Sequence, residues 1–143
     1  MKTLKFDFNN MGGCCRLFAI PPTSFLRIRE DYVNGLHYLE CTNYGDIIDI
    51  PVNADGTFYF NENHSSEDAG DGYSVEIGGV IPKLMVENAE DMEILERGEW
   101  YVLFMDNNDN VKLAGDEDVK LKFISQKTTG LLSADRNQIA FTF

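Results

Sequence analysis

Apolar and polar residues alternate along most of the chain with a period of two. In TLKFDF, for example, Leu4, Phe6 and Phe8 share one face, and the same alternation returns in RNQIAFTF at residues 136–143. Alternation of this kind indicates strands with one buried face, because successive side chains of a strand point to opposite sides. The pattern predicts a mainly β protein.

Further runs follow at a regular spacing, and turn residues separate them. After TLKFDF, the predicted strands are CCRLFAIPP, SFLRIR, GLHYLEC, DIIDIPV, TFYFN, YSVEIGGVIPKLMVE, WYVLFMD, VKLAG, DVKLKFIS and RNQIAFTF. Short strands at such intervals are typical of a sandwich or barrel. We expect a single β-rich domain over residues 1–143, sandwich-like or barrel-like, with about ten short strands.

One segment, NAEDMEILERGE, has the pattern of a short helix instead. Asn88 can cap its start, Glu90 and Asp91 favour its first turn, and Gly98 can end it. The continuous apolar run WYVLFMD that follows predicts a central strand, because it has no polar face.

The connections between strands carry further predictions. Asp55-Gly56 is a strong tight-turn signal and predicts a hairpin between DIIDIPV and TFYFN. Residues 61–72, NENHSSEDAGDG, are polar and acidic, which predicts an exposed, mobile loop. Gly78-Gly79 predicts a bend or bulge within its strand. In DVKLKFIS, the alternation places Val119, Leu121 and Phe123 on one face of a single strand.

Composition narrows the class of protein. The chain has 143 residues, of which 43% are hydrophobic, and a formal charge of −12 from 12 basic and 24 acidic residues. An excess of carboxylates disfavours contact with nucleic acid and with anionic membranes, because both need Lys and Arg. No run approaches the roughly 18 apolar residues of a membrane span, and Asp7 interrupts any signal-peptide core. We expect a cytoplasmic protein, or one assembled into a particle, with no membrane partner.

The stretch MGGCC, residues 11–15, invites a reading as a lipidation signal or thiol pair. Lipidation needs Gly directly after the initiator Met, and Arg16 stands where Ser or Thr is required. Three cysteines in all fit a reducing compartment better than a disulfide framework. We interpret Gly12-Gly13 as a bend and the two cysteines as the start of a buried strand. A redox role for Cys14, Cys15 or Cys41 stays open.

A calcium loop is the second chemical interpretation of the sequence. Asp106, Asn108, Asn110 and Glu117 occupy positions 1, 3, 5 and 12 of an EF-hand loop, but Val111 replaces the turn Gly at position 6. The flanking runs predict strands rather than helices. A hairpin turn between WYVLFMD and VKLAG therefore explains the same residues better.

Catalytic constellations are weak. His37 falls in an alternating strand, on its polar or rim face, and His64 falls in the predicted loop beside Ser65 and Ser66. Carboxylate pairs are frequent, but 24 acidic residues produce such pairs without any catalytic purpose. EIGGVIPK lacks the spacing of a phosphate-binding loop. We expect no enzyme activity, no cofactor, and no catalytic, cofactor-binding or metal-binding residues.

The last third of the chain, from Trp100, carries a set of turn and strand motifs: Asp106-Asn107-Asn108, Leu113-Ala114-Gly115, Thr129-Gly130 and Arg136-Asn137. With these motifs it resembles the C-terminal part of small prophage-encoded structural proteins of gut anaerobes, and it departs from them where Asp109 replaces the usual Gly. The resemblance implies a virion structural role, as a tail, neck or connector component. It carries over no catalytic residue.

Together these features predict a non-enzymatic, prophage-type structural or assembly protein. Its partners would be further copies of itself or other virion-type proteins, without sequence-specific contact to nucleic acid. The alternative is a small β-rich binding module for a ligand or metal. Oligomer size separates the two, because a virion component forms symmetric rings or stacks.

Overall fold

A computed structural model describes residues 12–34, 36–51, 58–67, 70–82, 89–128 and 138–143. These residues form eleven strands, one α-helix and a short 3-10 helix at Tyr44–Asp46. The strands are β1 (Cys14–Ile20), β2 (Phe25–Asp31), β3 (Leu36–Cys41), β4 (Ile48–Asp49), β5 (Tyr59–Glu67), β6 (Gly70–Pro82), β7 (Glu99–Asp106), β8 (Val111–Ala114), β9 (Leu121–Lys122), β10 (Ile124–Thr128) and β11 (Gln138–Thr142), and the helix is α1 (Ala89–Arg97). The mainly β prediction is confirmed. The predicted first strand, TLKFDF, lies outside the described residues.

The strands form three antiparallel sheets. The first has the order β4-β1-β7-β8, with β9 also paired to β7, and the second has the order β10-β11-β6-β5. β2 and β3 form a separate two-stranded sheet. Over the described ranges neither large sheet closes on itself, so the fold is an open sandwich rather than a barrel. The apolar run WYVLFMD is central, as predicted, because β7 pairs with strands on both sides.

The two large sheets share one apolar core. Leu17 and Phe104 from the first sheet belong to the same buried cluster as Ile77 and Phe141 from the second. The predicted alternation at the end of the chain is confirmed, since the three side chains predicted on one face are buried: Ile139, Phe141 and Phe143. Sandwich packing of this kind explains why the inward faces read as period-two patterns.

Helix α1 closes one end of the core, and its position agrees with the prediction. Met92 and Leu95 are buried in the cluster, while Glu90 and Asp91 occupy the first turn. Gly98 follows the last helical residue. The indole N–H of Trp100 donates to the carbonyl of Leu95 at 3.0 Å. The predicted cap, Asn88, lies outside the described residues.

The predicted bulge at Gly78-Gly79 is wrong. Pairing across both glycines is unbroken, with Tyr59 opposite Gly78 and Phe141 opposite Gly79. A Cβ at Gly78 would lie 2.5 Å from the Tyr59 ring, and one at Gly79 would lie 3.1 Å from Phe141. The glycines are needed because aromatic rings of neighbouring strands lie over them.

The predicted hairpin around Asp55-Gly56 is also wrong. β4 pairs with β1, whereas β5 pairs with β6, so the flanking strands belong to different sheets. Ile50 and Phe58, which flank Asp55-Gly56 in the sequence, are both buried in the core. The two flanking segments therefore pack into the core and do not form a hairpin with each other. The described part of DIIDIPV contributes two strand residues, after the 3-10 helix. Residues 52–57 lie outside the described part of the chain.

Residues 61–72 are not a loop. Nearly all of this polar stretch belongs to β5 and β6, whose pairing extends from Tyr59–Gly78 to Glu67–Gly70. The side chains of Asn61 to Ser66 are exposed, as predicted, but the backbone is paired. Polar residues on both faces left no period-two signal in the sequence.

DVKLKFIS is two strands rather than one. Phe123 is buried in the core between β9, which pairs with β7, and β10, which pairs with β11. The chain passes from the first sheet to the second at Phe123. The change of pairing partner at this residue divides the segment into two strands. Val119, predicted on the buried face, is 65% exposed because it lies in the loop before β9.

Candidate functional site

The two-stranded sheet forms an arm, residues 25–41, that is anchored at its base. Phe25 stacks on Tyr101 of β7 with ring centroids 4.2 Å apart. Ser24 is buried and its hydroxyl donates to Asp46 at 2.6 Å, while the Thr42 N–H donates to the Ser24 carbonyl at 2.8 Å. These contacts fix where the arm leaves the sandwich.

One face of the arm is polar and internally paired. The Arg27 guanidinium donates to Glu40 at 2.7 Å, and Arg29 lies 3.4 Å from the same carboxylate. Arg29 also lies over the Tyr38 ring, 5.3 Å from its centroid. The hydrogen bond from Arg27 lowers the pKa of the Glu40 carboxyl, so this face stays charged at neutral pH.

The other face and the tip of the arm are apolar and exposed. Leu26 is 57% exposed, and Tyr32 and Val33 at the tip are 89% and 92% exposed. The tip is ordered by Asp31, whose carboxylate accepts the N–H groups of Val33 and Asn34 at 3.0 and 3.3 Å. Hydrogen bonds from Asn34, its side-chain amide first, lower the pKa of Asp31. An ordered turn that presents apolar side chains to water is typical of an interaction surface.

A groove of about 980 Å³ lies where the sandwich opens between the β8 edge and the β5 edge. Phe60 and Phe104 line it and stack on each other with centroids 4.7 Å apart. Its charged lining consists of three lysines, Lys112, Lys120 and Lys122, and two carboxylates, Glu62 and Asp116. We call this the lysine groove.

Two of these lysines have no carboxylate partner among the described residues. Each of the six other described Lys and Arg side chains has an ion pair within 4.0 Å, including Lys122 with Glu99. Lys112 lies over the Phe60 ring instead, 5.2 Å from its centroid, and Lys120 donates to the Glu117 carbonyl. In so acidic a chain, a groove that combines lysines outside close ion pairs with aromatic rings favours a partner that supplies both negative charge and apolar surface.

The two histidines considered as catalytic candidates lie on different pairs of strands, His37 on the arm and His64 on β5. His37 on β3 is exposed, with its Nδ1 4.0 Å from Glu30 across the hairpin. His64 Nε2 lies 3.8 Å from Asp71, and its ring is 4.8 Å from the Tyr73 ring.

The serines beside His64 do not complete a catalytic group in this geometry. Ser65 follows His64 directly in β5, so its side chain points to the opposite face and donates to the Gly72 carbonyl at 3.5 Å. Ser66 shares a face with His64, but no hydrogen bond joins the two within the described part of the chain. A serine nucleophile needs that bond for proton transfer.

Residues 12–15 of MGGCC form the bend and strand start that we predicted, and Met11 lies outside the described residues. Gly13 has φ of +92°, and β1 begins at Cys14. A bulge between Cys14 and Arg16 leaves Cys15 half-buried, with its thiol 3.5 Å from the carbonyls of Met105 and Asp106. All three cysteines are free. Burial raises the pKa of the Cys14 and Cys41 thiols, which disfavours the reactive thiolate.

The proposed calcium residues build a hairpin turn, as predicted. The Asp106 carboxylate accepts the N–H groups of Asn108 and Asn110 at 2.8 and 2.9 Å, and the Asn110 amide at 2.9 Å. The bond from the Asn110 side chain is the largest cause of a lowered Asp106 pKa. Asp109 has φ of 63°, the conformation for which Gly is usual. Glu117 lies beyond β8, in the next loop.

The acidic clusters have structural roles where they are described. Asp116 accepts the N–H groups of Asp118 and Val119 at 2.9 and 2.7 Å and so shapes the loop beside the lysine groove. Glu90 and Asp91 occupy the helix start. Within the described ranges, no group of three or more His, Cys, Asp or Glu side chains is placed to hold a metal ion.

The sequence predicted both strands of the arm but did not indicate that they form a sheet separate from the other two. It gave no prediction of the lysine groove. A signal for the arm exists in SFLRIRE, where Leu26 and Ile28 alternate with Arg27 and Arg29 in a chain otherwise poor in cations. The groove had only the weak signal of lysines alternating with apolar residues in VKLAG and VKLKF. Its walls come from different sheets, so local pattern could not reveal it.

Comparisons of the chain with protein-family models, curated proteins and solved structures gave no match. No helix in the described residues has the length and apolar character needed to cross a membrane.

Proposed function

We propose that the chain is a non-enzymatic assembly protein of a phage-type particle, such as a tail, neck or connector component, and that it acts through self-association. The observation that carries the proposal is the β2–β3 arm. It has an ordered base, a paired polar face, and an apolar tip that is almost fully exposed.

The exposure of the tip supports a protein partner. Tyr32 and Val33 belong to an ordered turn, so their exposure is part of the folded structure. Aromatic side chains that become buried are frequent anchors of protein interfaces. The alternating apolar face behind the tip, with Leu26 and Ile28, extends the same surface.

Open strand edges support assembly as well. Among the described strands, β2 and β3 pair only with each other, so no described strand pairs with either outer edge. The Leu39 carbonyl of β3 accepts the Tyr44 hydroxyl at 3.0 Å. An added strand can satisfy the N–H and C=O groups of an open edge, and such pairing gives a directional contact. The phage-type part of the proposal rests on the resemblance of the last third of the chain.

Charge sets the conditions under which copies associate. Each copy has a formal charge of −12, so copies repel one another at low ionic strength. Salt shortens the Debye length from roughly 20 Å at about 20 mM to about 3 Å at 1 M, which removes this repulsion but leaves apolar contacts intact. We expect monomers at low salt, and rings or stacks at high salt.

The test is molar mass by light scattering across that salt range, with the native chain and a Tyr32→Ser/Val33→Ser variant. The native mass should rise with salt, and the variant should need at least about tenfold more protein to associate. Ile94→Ser/Ile124→Ser is the matched control, because it removes two exposed aliphatic side chains, 48% and 69% exposed, outside the arm. A native chain that stays monomeric at every salt and protein concentration would contradict the proposal.

The gene neighbourhood tests the phage-type part separately. Terminase, portal or tail genes alongside would support it, and their absence would leave an assembly protein of another kind.

The alternative function is a small binding module, and the lysine groove favours it. Its lysines and aromatic floor suit an anionic ligand with a flat apolar part. A binding module would stay monomeric in the light-scattering experiment, so the same measurement separates the two functions.

A further inference from the structure

We propose that the tip of the β2–β3 arm of one copy binds in the lysine groove of the next copy, head to tail. This inference rests on the proposed self-association and names the two surfaces that meet. The arm tip is residues 30–34, and the groove is the one lined by Phe60, Phe104 and the three lysines.

The two surfaces match in charge. The tip carries Glu30 and Asp31, two carboxylates beside the apolar side chains. The groove is lined by three lysines and by the carboxylates Glu62 and Asp116, so lysines outnumber carboxylates there. Lys112 and Lys120 are the two described cations with no carboxylate of the described residues within 4.0 Å. An acidic tip therefore supplies carboxylates for these lysines. The chain as a whole is strongly acidic, so other surfaces of two copies repel each other.

The two surfaces also match in apolar character. Tyr32 and Val33 project from the tip, while Phe60, Phe104 and Val119 line the groove. At about 980 Å³ the groove has room for the side chains of a hairpin turn. The tip is not in its own groove, because Tyr32 and Val33 are 89% and 92% exposed within one copy.

A head-to-tail contact explains how one chain could form rings or stacks. Tip and groove are different surfaces of the same molecule, so each copy keeps a free tip and a free groove after one contact has formed. Such heterologous contacts continue until they close a ring or extend as a filament. Arms that paired edge to edge would leave the groove empty, so a change of the groove separates that arrangement from the one proposed here.

The experiment separates tip from groove by mixing two variants. The tip variant is Tyr32→Ser/Val33→Ser, with an intact groove, and the groove variant is Lys112→Gln/Lys120→Gln, with an intact tip. Arg16→Gln/Arg97→Gln is the control for the groove variant, because it makes the same charge change at two exposed ion pairs outside the groove. Circular dichroism first confirms that each variant is folded.

At the lowest salt concentration where the native chain assembles, so that ion pairs are screened least, each variant alone should remain monomeric, with its dissociation constant raised at least tenfold. The control should assemble within threefold of the native chain. A one-to-one mixture of tip and groove variants should give a heterodimer of twice the monomer mass and nothing larger, because only one functional tip and one functional groove remain in the pair.

Three results would overturn the inference. A native chain that never associates would remove the proposed function and the inference together. A native chain that assembles while the groove variant assembles equally well would overturn the inference alone. A mixture that yields no heterodimer would also overturn the inference alone. The same holds if deletion of residues 1–10 abolishes assembly and the change of the tip does not, because the groove would then bind that segment.

Discussion

Replacing Gly98 by Ala probes how tightly the helix end packs on the core. A Cβ at this position would lie 2.6, 2.7 and 2.8 Å from three atoms of the Trp100 indole. Carbon atoms in contact prefer about 3.5–4.0 Å, so the overlap approaches about 1 Å. Trp100 is only 3% exposed and cannot swing into solvent to relieve it.

The loss in free energy of unfolding depends on how far the Trp100 indole must shift to make room for the added methyl group. Overpacking a filled core costs about 1–3 kcal/mol, and shifting the indole would also weaken its hydrogen bond to Leu95, a further 0.5–1.5 kcal/mol or so. Removing a glycine restricts the unfolded chain and returns about 0.4–1 kcal/mol. We therefore expect Gly98→Ala to lower the free energy of unfolding by about 1–3 kcal/mol.

Urea unfolding is the assay, and the chain has a single tryptophan, Trp100, whose fluorescence reports on this site. Gly12→Ala is the matched control, because nothing lies within 4 Å of a Cβ there and the backbone has no positive φ. Its free energy of unfolding should stay within about 0.5 kcal/mol of the native value. An equally stable Gly98→Ala chain would refute the packing described for Trp100.

Three further predictions concern separate elements. Phe25→Ala removes the ring stack on Tyr101 and should lower the free energy of unfolding by about 1–3 kcal/mol, measured by urea titration; a native-like midpoint would contradict the anchoring of the arm. In native protein, Cys15 should be alkylated faster than the buried Cys14, whose thiol pKa is raised, as read by mass spectrometry of the peptides; the reverse order would contradict the strand geometry. The Asp106 carboxyl has a lowered pKa, so its charged form stabilises the turn above about pH 4 and this contribution is lost as the pH falls through the lowered value. Asp106→Ala should therefore be less stable than the native chain at pH 7 and approach it in acid, by thermal unfolding at each pH; a constant difference would contradict the assigned role.

The sequence predicts best where one face of a strand is buried. β11 follows its alternating pattern, because burial against the opposite sheet enforces the period of two. β7 follows its continuous apolar run, because it lies in the middle of its sheet. The helix before Gly98 is predicted equally well, because the acidic residues of its first turn and the glycine after its last turn are local signals.

Prediction fails where the decisive contact is distant in sequence. Asp55-Gly56 is a strong local turn signal, but burial of Ile50 and Phe58 assigns the flanking strands to different sheets. Residues 61–72 lack alternation, yet the backbone pairs with itself along β5 and β6. The lysine groove combines side chains from both sheets, and no single segment contains it.

Hydrogen exchange of the native chain tests most directly whether the β2–β3 arm is an assembly surface. The arm amides on the two open edges should exchange quickly in dilute, low-salt protein, where each copy is alone. At high salt and high protein concentration, peptides covering residues 25–41 should gain protection, while β7, already paired on both sides, should not change. An assembled sample, verified by light scattering, in which residues 25–41 exchange as quickly as in the monomer would contradict the account.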